Sequence, residues 1–207
     1  MLDLVLPLEC GGCGAPSTTW CDACAQELKL KTDDPRVITP RVDPGVPVFS
    51  LGRYAGARRA AIVAAKERGR GDLIGPLAFA LQAGLNRLIE WGIVDAPLTL
   101  VPAPTRRSAA RRRGGDPVTR IATAARVDGV HVVAALRMRA MTRDSVGLST
   151  TARQANVVGR VKLRRAVGGD VILVDDIVTT GATATESVRI LHSVGARVVG
   201  VLAIAHA

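Results

Sequence analysis

Val171 to Thr183 reads VILVDDIVTTGAT, and this stretch decides the fold. Val171, Ile172, Leu173 and Val174 form a short, mostly β-branched apolar run, long enough for a strand buried on both faces. Asp175 and Asp176 follow directly, then Ile177, Val178 and the small-residue stretch Thr179, Thr180, Gly181, Ala182 and Thr183. Beyond it Ala184, Val188 and Leu191 recur at helical spacing, with Thr185, Glu186, Arg189 and His192 on the other side. Gly195 suits the end of that helix. The order is strand, acidic corner, small-residue loop, helix.

That order has a chemical reading. Small loop residues let a ligand approach the backbone. Their N–H groups sit at a helix N-terminus, where unpaired donors and the helix dipole favour a phosphate. Threonine hydroxyls add hydrogen bonds. A bare phosphate gains nothing from two carboxylates nearby. A phosphorylated sugar does, because carboxylates accept hydrogen bonds from its hydroxyls and can hold Mg²⁺ directly or through water. The plain alternative is a strand-to-helix turn with Asp as N-cap.

Working outward, Leu98–Val101, Val130–Leu136 and Arg197–Ala203 are further apolar strands, and Phe49–Tyr54 could be another. Helices are predicted over Arg58–Glu67, Leu73–Trp91 and Asp116–Arg126, the last opened by Asp116 as cap and Pro117 at its first position. Strands alternating with helices predict an α/β fold built on a parallel sheet. The second strand runs into Pro102, Ala103, Pro104 and Thr105, followed by Arg106, Arg107, Arg111, Arg112 and Arg113. A stiff turn at the carboxyl end of a strand, followed by guanidinium groups, suits pyrophosphate. A solubilising basic loop is the alternative. Lys66, Arg68 and Arg70 read as a solvated basic turn.

All four cysteines lie near the start: Cys10, Cys13, Cys21 and Cys24. Two C-x2-C pairs separated by seven residues offer four thiolates to one structural Zn²⁺, with Gly11, Gly12 and Gly14 permitting tight turns. Two disulfides or unligated thiols are the alternatives. Four of the eleven prolines fall between Asp33 and Pro47. The predicted organisation is a zinc-binding module over 1–32, a Pro-rich linker over 33–47 and one α/β domain over 48–207.

Lys and Arg number 28 against 18 Asp and Glu, a net charge of +10 that attracts phosphosugars or nucleic acid alike. Aromatics make up only 2% of the chain, few platforms for stacking single-stranded bases. No uncharged stretch is long enough to span a membrane. MLDLVLPLEC lacks a basic start and carries Asp3 and Glu9, so it does not read as a secretory signal. A cytoplasmic setting is expected.

VILVDDIVTTGAT resembles the phosphoribosyl-pyrophosphate (PRPP) signature of type I phosphoribosyltransferases. With it, the paired cysteines, AKERGRGDL, VPAPTRRSAARRRGGDP and DSVGLSTTARQANVVGR occur in the order seen in ComF-type proteins. The chain thus resembles a ComF-family phosphoribosyltransferase homologue over nearly its whole length. Two stretches differ: 113–117 read RGGDP where relatives often have RGFNQ, and Asp144 and Ser145 stand where they often place Gln. The resemblance implies a type I phosphoribosyltransferase fold. Asp175 and Asp176 would face the ribose, and Thr179, Thr180, Gly181, Ala182 and Thr183 would cradle the 5-phosphate. Pro102, Ala103, Pro104 and Arg106 would meet pyrophosphate, and Arg137 to Arg165 would include a flexible loop. The implied activity is displacement of pyrophosphate from PRPP, with Mg²⁺, onto an unidentified acceptor. The alternative is a non-enzymatic DNA-uptake protein that binds single-stranded DNA weakly and in a salt-dependent way. A homodimer is compatible with either.

Overall fold

The computed structural model describes residues 8–105, 115–139 and 159–207. In chain order the elements are α1 (Asp22–Leu28), β1 (Arg36–Ile38), β2 (Val48–Ser50), α2 (Gly56–Glu67), a 3₁₀ turn (Gly71–Leu73), α3 (Ile74–Glu90), β3 (Leu98–Pro102), α4 (Pro117–Ala124), β4 (Val130–Val132), β5 (Leu136–Met138), β6 (Val161–Leu163), β7 (Asp170–Val178), α5 (Ala182–His192) and β8 (Arg197–His206). Six strands form one sheet in the order β1-β2-β8-β7-β3-β4. All its neighbours pair in parallel except β1, which runs antiparallel to β2 at the edge. The chain is therefore α/β, with a mostly parallel sheet flanked by helices and a four-cysteine cluster near its start.

β7 lies inside the sheet because Val171 to Val174 leave no surface exposed. Alternation along the strand sends Ile172 and Val174 to one face and Val171 and Leu173 to the other. The first face packs against the apolar stripes of α2, α3 and α4, among them Ile62, Leu77, Leu81, Leu85 and Ile121. The second packs against Val188 and Leu191 of α5. Burying one such aliphatic side chain contributes about 1.5–3 kcal/mol, so the two faces hold the strand order in place.

Three expectations need correction. The strand at Val171 does not stop before the acids: β7 pairs with β8 as far as Val178, so Asp175 and Asp176 are strand residues. Val130–Leu136 is not one strand. Val130–Val132 pairs with β3, and the chain then leaves the sheet so that Leu136–Met138 pairs with β6 in a separate two-stranded antiparallel sheet. Glu186, grouped with the polar side of its helix, does not face solvent. It is buried, accepts the Gly159 N–H at 2.8 Å and binds Arg189 through both carboxylate oxygens.

The segment 33–47 supplies edge strand β1 and then packs on the loop after β7. The Val42 N–H donates to the Thr180 carbonyl at 2.8 Å. Three residues at an edge are what a proline-punctuated segment can add to a sheet. α1 contacts both α2 and α3, and Leu28 enters the main core.

Candidate functional site

The parallel strands β2, β8, β7 and β3 all end on one edge of the sheet, the place where α/β folds bind ligands. Asp175 and Asp176 stand at the end of β7 and are 9% and 5% exposed. β8 pairs alongside them, with Asp175 opposite Ala203, while the pairing with β3 ends at Val174. Each carboxylate accepts the N–H of the next residue: Asp176 N to Asp175 Oδ1 at 2.8 Å, and Ile177 N to Asp176 Oδ1 at 2.9 Å.

Their counter-ion comes from α2. Lys66 Nζ lies 2.6 Å from Asp176 Oδ2. That oxygen accepts no hydrogen bond of acceptable alignment, so the contact is a close ion pair. Burial works against the Lys66 charge, but Asp176 and then Asp175 outweigh it and hold the Lys66 pKa above its ordinary value. Burial, and then the neighbouring Asp176 charge, push Asp175 well above the usual carboxylate range against the pull of Lys66. Among the described residues one cation, Lys66, serves two enclosed carboxylates. The pair is therefore short of positive charge or of donors, and a polyhydroxylated or metal-bearing ligand would supply both.

The loop after β7 is built for a close approach. Gly181 sits in the left-handed region at φ 86°, immediately before α5. A Cβ there would collide with the Val42 carbonyl, so only glycine fits. Thr180 Oγ1 accepts the Ala182 N–H at 3.4 Å, and the Thr185 hydroxyl donates to the Gly181 carbonyl at 3.0 Å. Asp175 and residues 177–184 line one shallow concavity of about 30 Å³, so the loop and the first acid face the same space.

Pro102 and Ala103 continue β3 on the other side of β7, where the Ala103 N–H donates to the Val174 carbonyl at 2.7 Å. Pro104 leads to Thr105, whose hydroxyl donates to Asp116 Oδ1 at 2.6 Å. Asp116 in turn caps α4 as expected, accepting the Val118 N–H. The turn is thus tied to the central strand and to a helix cap. Arg106, the arginines after it and the centre of the expected flexible loop lie outside the described residues.

The sequence places Lys66 at the end of the helix Arg58–Glu67 and also reads it as part of a solvated basic turn. It lies in the last turn of α2, as that helix requires, but faces the acids instead of solvent. Its position one turn beyond Ile62 and Val63 was the available signal, but a contact 110 residues distant in the chain has no local signature.

The four cysteine sulfurs lie within 4.8 Å of one another, and Cys13 Sγ and Cys21 Sγ are 3.6 Å apart. A tetrahedral ion with Zn–S of about 2.3 Å needs sulfurs about 3.8 Å apart. The cluster is close to that shape. Cys10 and Cys24 are buried, and a Cβ at Gly12 would strike Cys24 Sγ. Burial opposes the Cys10 thiolate. The N–H groups of Cys13, Cys21 and Gly12, with the Cys21 side chain, outweigh it and bring its pKa down to about 6. Burial and the three other cysteines push Cys24 up instead. A divalent cation would remove that conflict by holding all four as thiolates. The donor set fits zinc, in a closed site with no position for substrate.

No helix among the described residues is long and apolar enough to cross a membrane. No protein-family model matches the chain, and no curated protein matches it. Among solved structures, the Mycobacterium tuberculosis H37Rv orotate phosphoribosyltransferase, in complex with Fe(III) dicitrate, is similar at 17% identity. The alignment covers 89% of this chain and 82% of that one with a TM-score of 0.38, too loose to carry an argument.

Proposed function

We propose that the chain binds PRPP with Mg²⁺ at the carboxyl edge of its sheet and displaces pyrophosphate onto an acceptor, as a phosphoribosyltransferase-like protein. The observation that carries this reading is the enclosed Asp175–Asp176 pair, with Lys66 on Asp176, at the mouth of a glycine-hinged helix N-terminus. A phosphate and a ribose on one molecule would satisfy both halves at once.

In this reading the N–H groups of residues 181–183 and the threonine hydroxyls hold the 5-phosphate. Asp175 and Asp176 accept the ribose hydroxyls and face the positive charge that builds on the sugar as the C1–O bond lengthens. Lys66 Nζ holds Asp176 Oδ2 in place at 2.6 Å. The turn after β3, fixed by Val174 and Asp116, orients the departing pyrophosphate. Asp175 is the better candidate for an outer ligand of Mg²⁺, because Lys66 already occupies Asp176 Oδ2. Bound Mg²⁺ would neutralise charge on the leaving pyrophosphate. The four cysteines would hold structural zinc and brace α1 against α2.

The test is calorimetric titration of PRPP with Mg²⁺ into the Asp175→Asn/Asp176→Asn double variant. Asn preserves shape and can accept the same backbone N–H groups, so the fold should persist. Hydrogen bonds to charged groups contribute about 1.5–3 kcal/mol each, so affinity should fall at least tenfold. Unchanged affinity in a folded double variant would refute the assignment.

A further inference from the structure

The edge of the sheet carries a second cavity, of about 380 Å³, beside the end of β8. It lies on the opposite side of β7 from the turn after β3. Arg58 of α2 lines it and is only 6% exposed, yet it pairs with no carboxylate among the described residues. Its guanidinium donates instead to the carbonyls of Ile204 and Leu28, both at 3.3 Å. Burial pushes its pKa down, with Asp34 and Glu27 only partly offsetting this. Those two acids also line the cavity but are engaged elsewhere. Asp34 accepts the Lys31 N–H and pairs with Arg36, while Glu27 accepts the Ala57 N–H at the start of α2. Lys29, Lys31 and Arg53 also line the cavity; none of the three forms a salt bridge among the described residues, although the Lys31 charge is felt by Asp33. A buried arginine without a counter-ion, ringed by three further cations, is short of an anion.

His206 faces the same cavity from the last position of β8. Its backbone is locked: it pairs in register with Val178, its N–H donates to the Gly52 carbonyl, and its carbonyl accepts the Tyr54 N–H. Its ring is locked too, with Nδ1 2.8 Å from the Ser50 hydroxyl. That hydroxyl has one proton and donates it to the Gly52 carbonyl at 3.0 Å, so it accepts from the Gly52 N–H and from His206 Nδ1–H. The arrangement assigns the proton to Nδ1 and leaves Nε2 as a free acceptor.

We propose that this cavity is the acceptor site, taking an anionic acceptor whose nucleophilic N–H or O–H faces His206 Nε2. The inference rests on the PRPP reading above. Displacement at C1 brings the acceptor in opposite the leaving group, and the pyrophosphate turn lies on the β3 side of β7, so the acceptor belongs on the β8 side. The acceptor atom bonds to C1, the C1–O bond breaks with its electron pair leaving on pyrophosphate, and the acceptor proton passes to His206 Nε2. Arg58, with Lys29, Lys31 and Arg53 around it, holds the acceptor's negative group.

The probes are imidazole-4-carboxylate and imidazole-4-carboxamide, which share an N–H heterocycle and differ in charge, titrated alongside PRPP with Mg²⁺. The carboxylate should bind at least tenfold tighter. Arg58→Met should abolish that preference, and the triple variant Lys29→Met/Lys31→Met/Arg53→Met should weaken it severalfold if Arg58→Met does not fold. PRPP affinity should be unchanged in the triple variant. For His206, ring ¹⁵N spectra should show the Nδ1–H tautomer. Methylating the probe's N–H should weaken binding to the wild type but not to His206→Asn, whose amide can still donate to Ser50. Equal binding of the two charged-and-neutral probes, with PRPP binding intact, would overturn this inference alone. A charge preference without any PRPP binding would overturn the acceptor role through failure of the underlying reading.

Discussion

Replacing Lys66 by Met keeps the stem of the side chain and removes its ammonium. Asp176 Oδ2 then loses the one cation within 4 Å among the described residues, and it accepts no aligned hydrogen bond in exchange. Asp175 adds a second enclosed carboxylate beside it. Deleting one partner of a buried pair costs about 3–5 kcal/mol. Lys66 is 33% exposed, so water recovers part of that loss, and about 2 kcal/mol is the expected net destabilisation. In a chain of 207 residues this lowers Tm by about 4–8 °C. The pH dependence has a definite sign. The Lys66 pKa is raised in the folded state, so its contribution is complete below the ordinary lysine value and is lost as pH rises through the folded one. The deficit of Lys66→Met should therefore be full at neutral pH and shrink under strongly alkaline conditions. Adding Asp176→Asn should restore most of the lost stability, because the orphaned charge goes with it. Melting curves of the wild type, both single variants and the double variant measure all of this. A Lys66→Met protein that melts with the wild type, or a double variant that is simply additive, would show that the ion pair does not govern the site.

Asp175→Asn should raise Tm at neutral pH: a carboxyl with a raised folded pKa contributes stability below the ordinary carboxylate range and loses it as pH climbs, so the gain should vanish near pH 4, as melts across a pH series will show. Gly181→Ala should cost about 2 kcal/mol or more, from left-handed strain plus collision with the Val42 carbonyl, read as a drop in Tm of roughly 4–8 °C together with weakened phosphate binding. Elemental analysis should find one zinc per chain, and chelation under reducing conditions should speed amide exchange in α1 and at the start of α2, because Glu27 and Leu28 join the cysteine module to the core. Metal-free reduced protein with unchanged exchange would contradict the zinc assignment.

The elements that could be read in the sequence were those with strong local signals. The apolar run at Val171, the periodic leucines of α3 and the Asp116–Pro117 start of α4 each specify their own backbone, and each appears in the structure. The four-cysteine spacing likewise brought its sulfurs together. What was missed depends on partners distant in the chain. Aspartate is disfavoured in strands, so Asp175 and Asp176 read as a corner, while pairing with β8 kept them in β7. Arg58 sits among alanines in a helix that looks amphipathic either way, and it is buried by partners distant in the chain, Ile204 of β8 and Leu28 of α1. Val130 to Leu136 is a β-branched run with nothing in it to mark where the chain leaves the sheet. The enclosure of Glu186 on the polar side of α5 had no local signal, because its partner, the Gly159 N–H, lies 27 residues earlier.

The central claim is that the end of β7 and the loop after it form a PRPP site. Its most direct measurement is a calorimetric titration of the wild-type chain with PRPP in the presence of Mg²⁺, set beside ribose 5-phosphate and inorganic phosphate. The account predicts saturable binding of one PRPP per chain, at least tenfold tighter than ribose 5-phosphate and tighter again than phosphate, because loop, acids and pyrophosphate turn are then engaged together. Absence of saturable PRPP binding, or equal affinity for all three ligands, would contradict it.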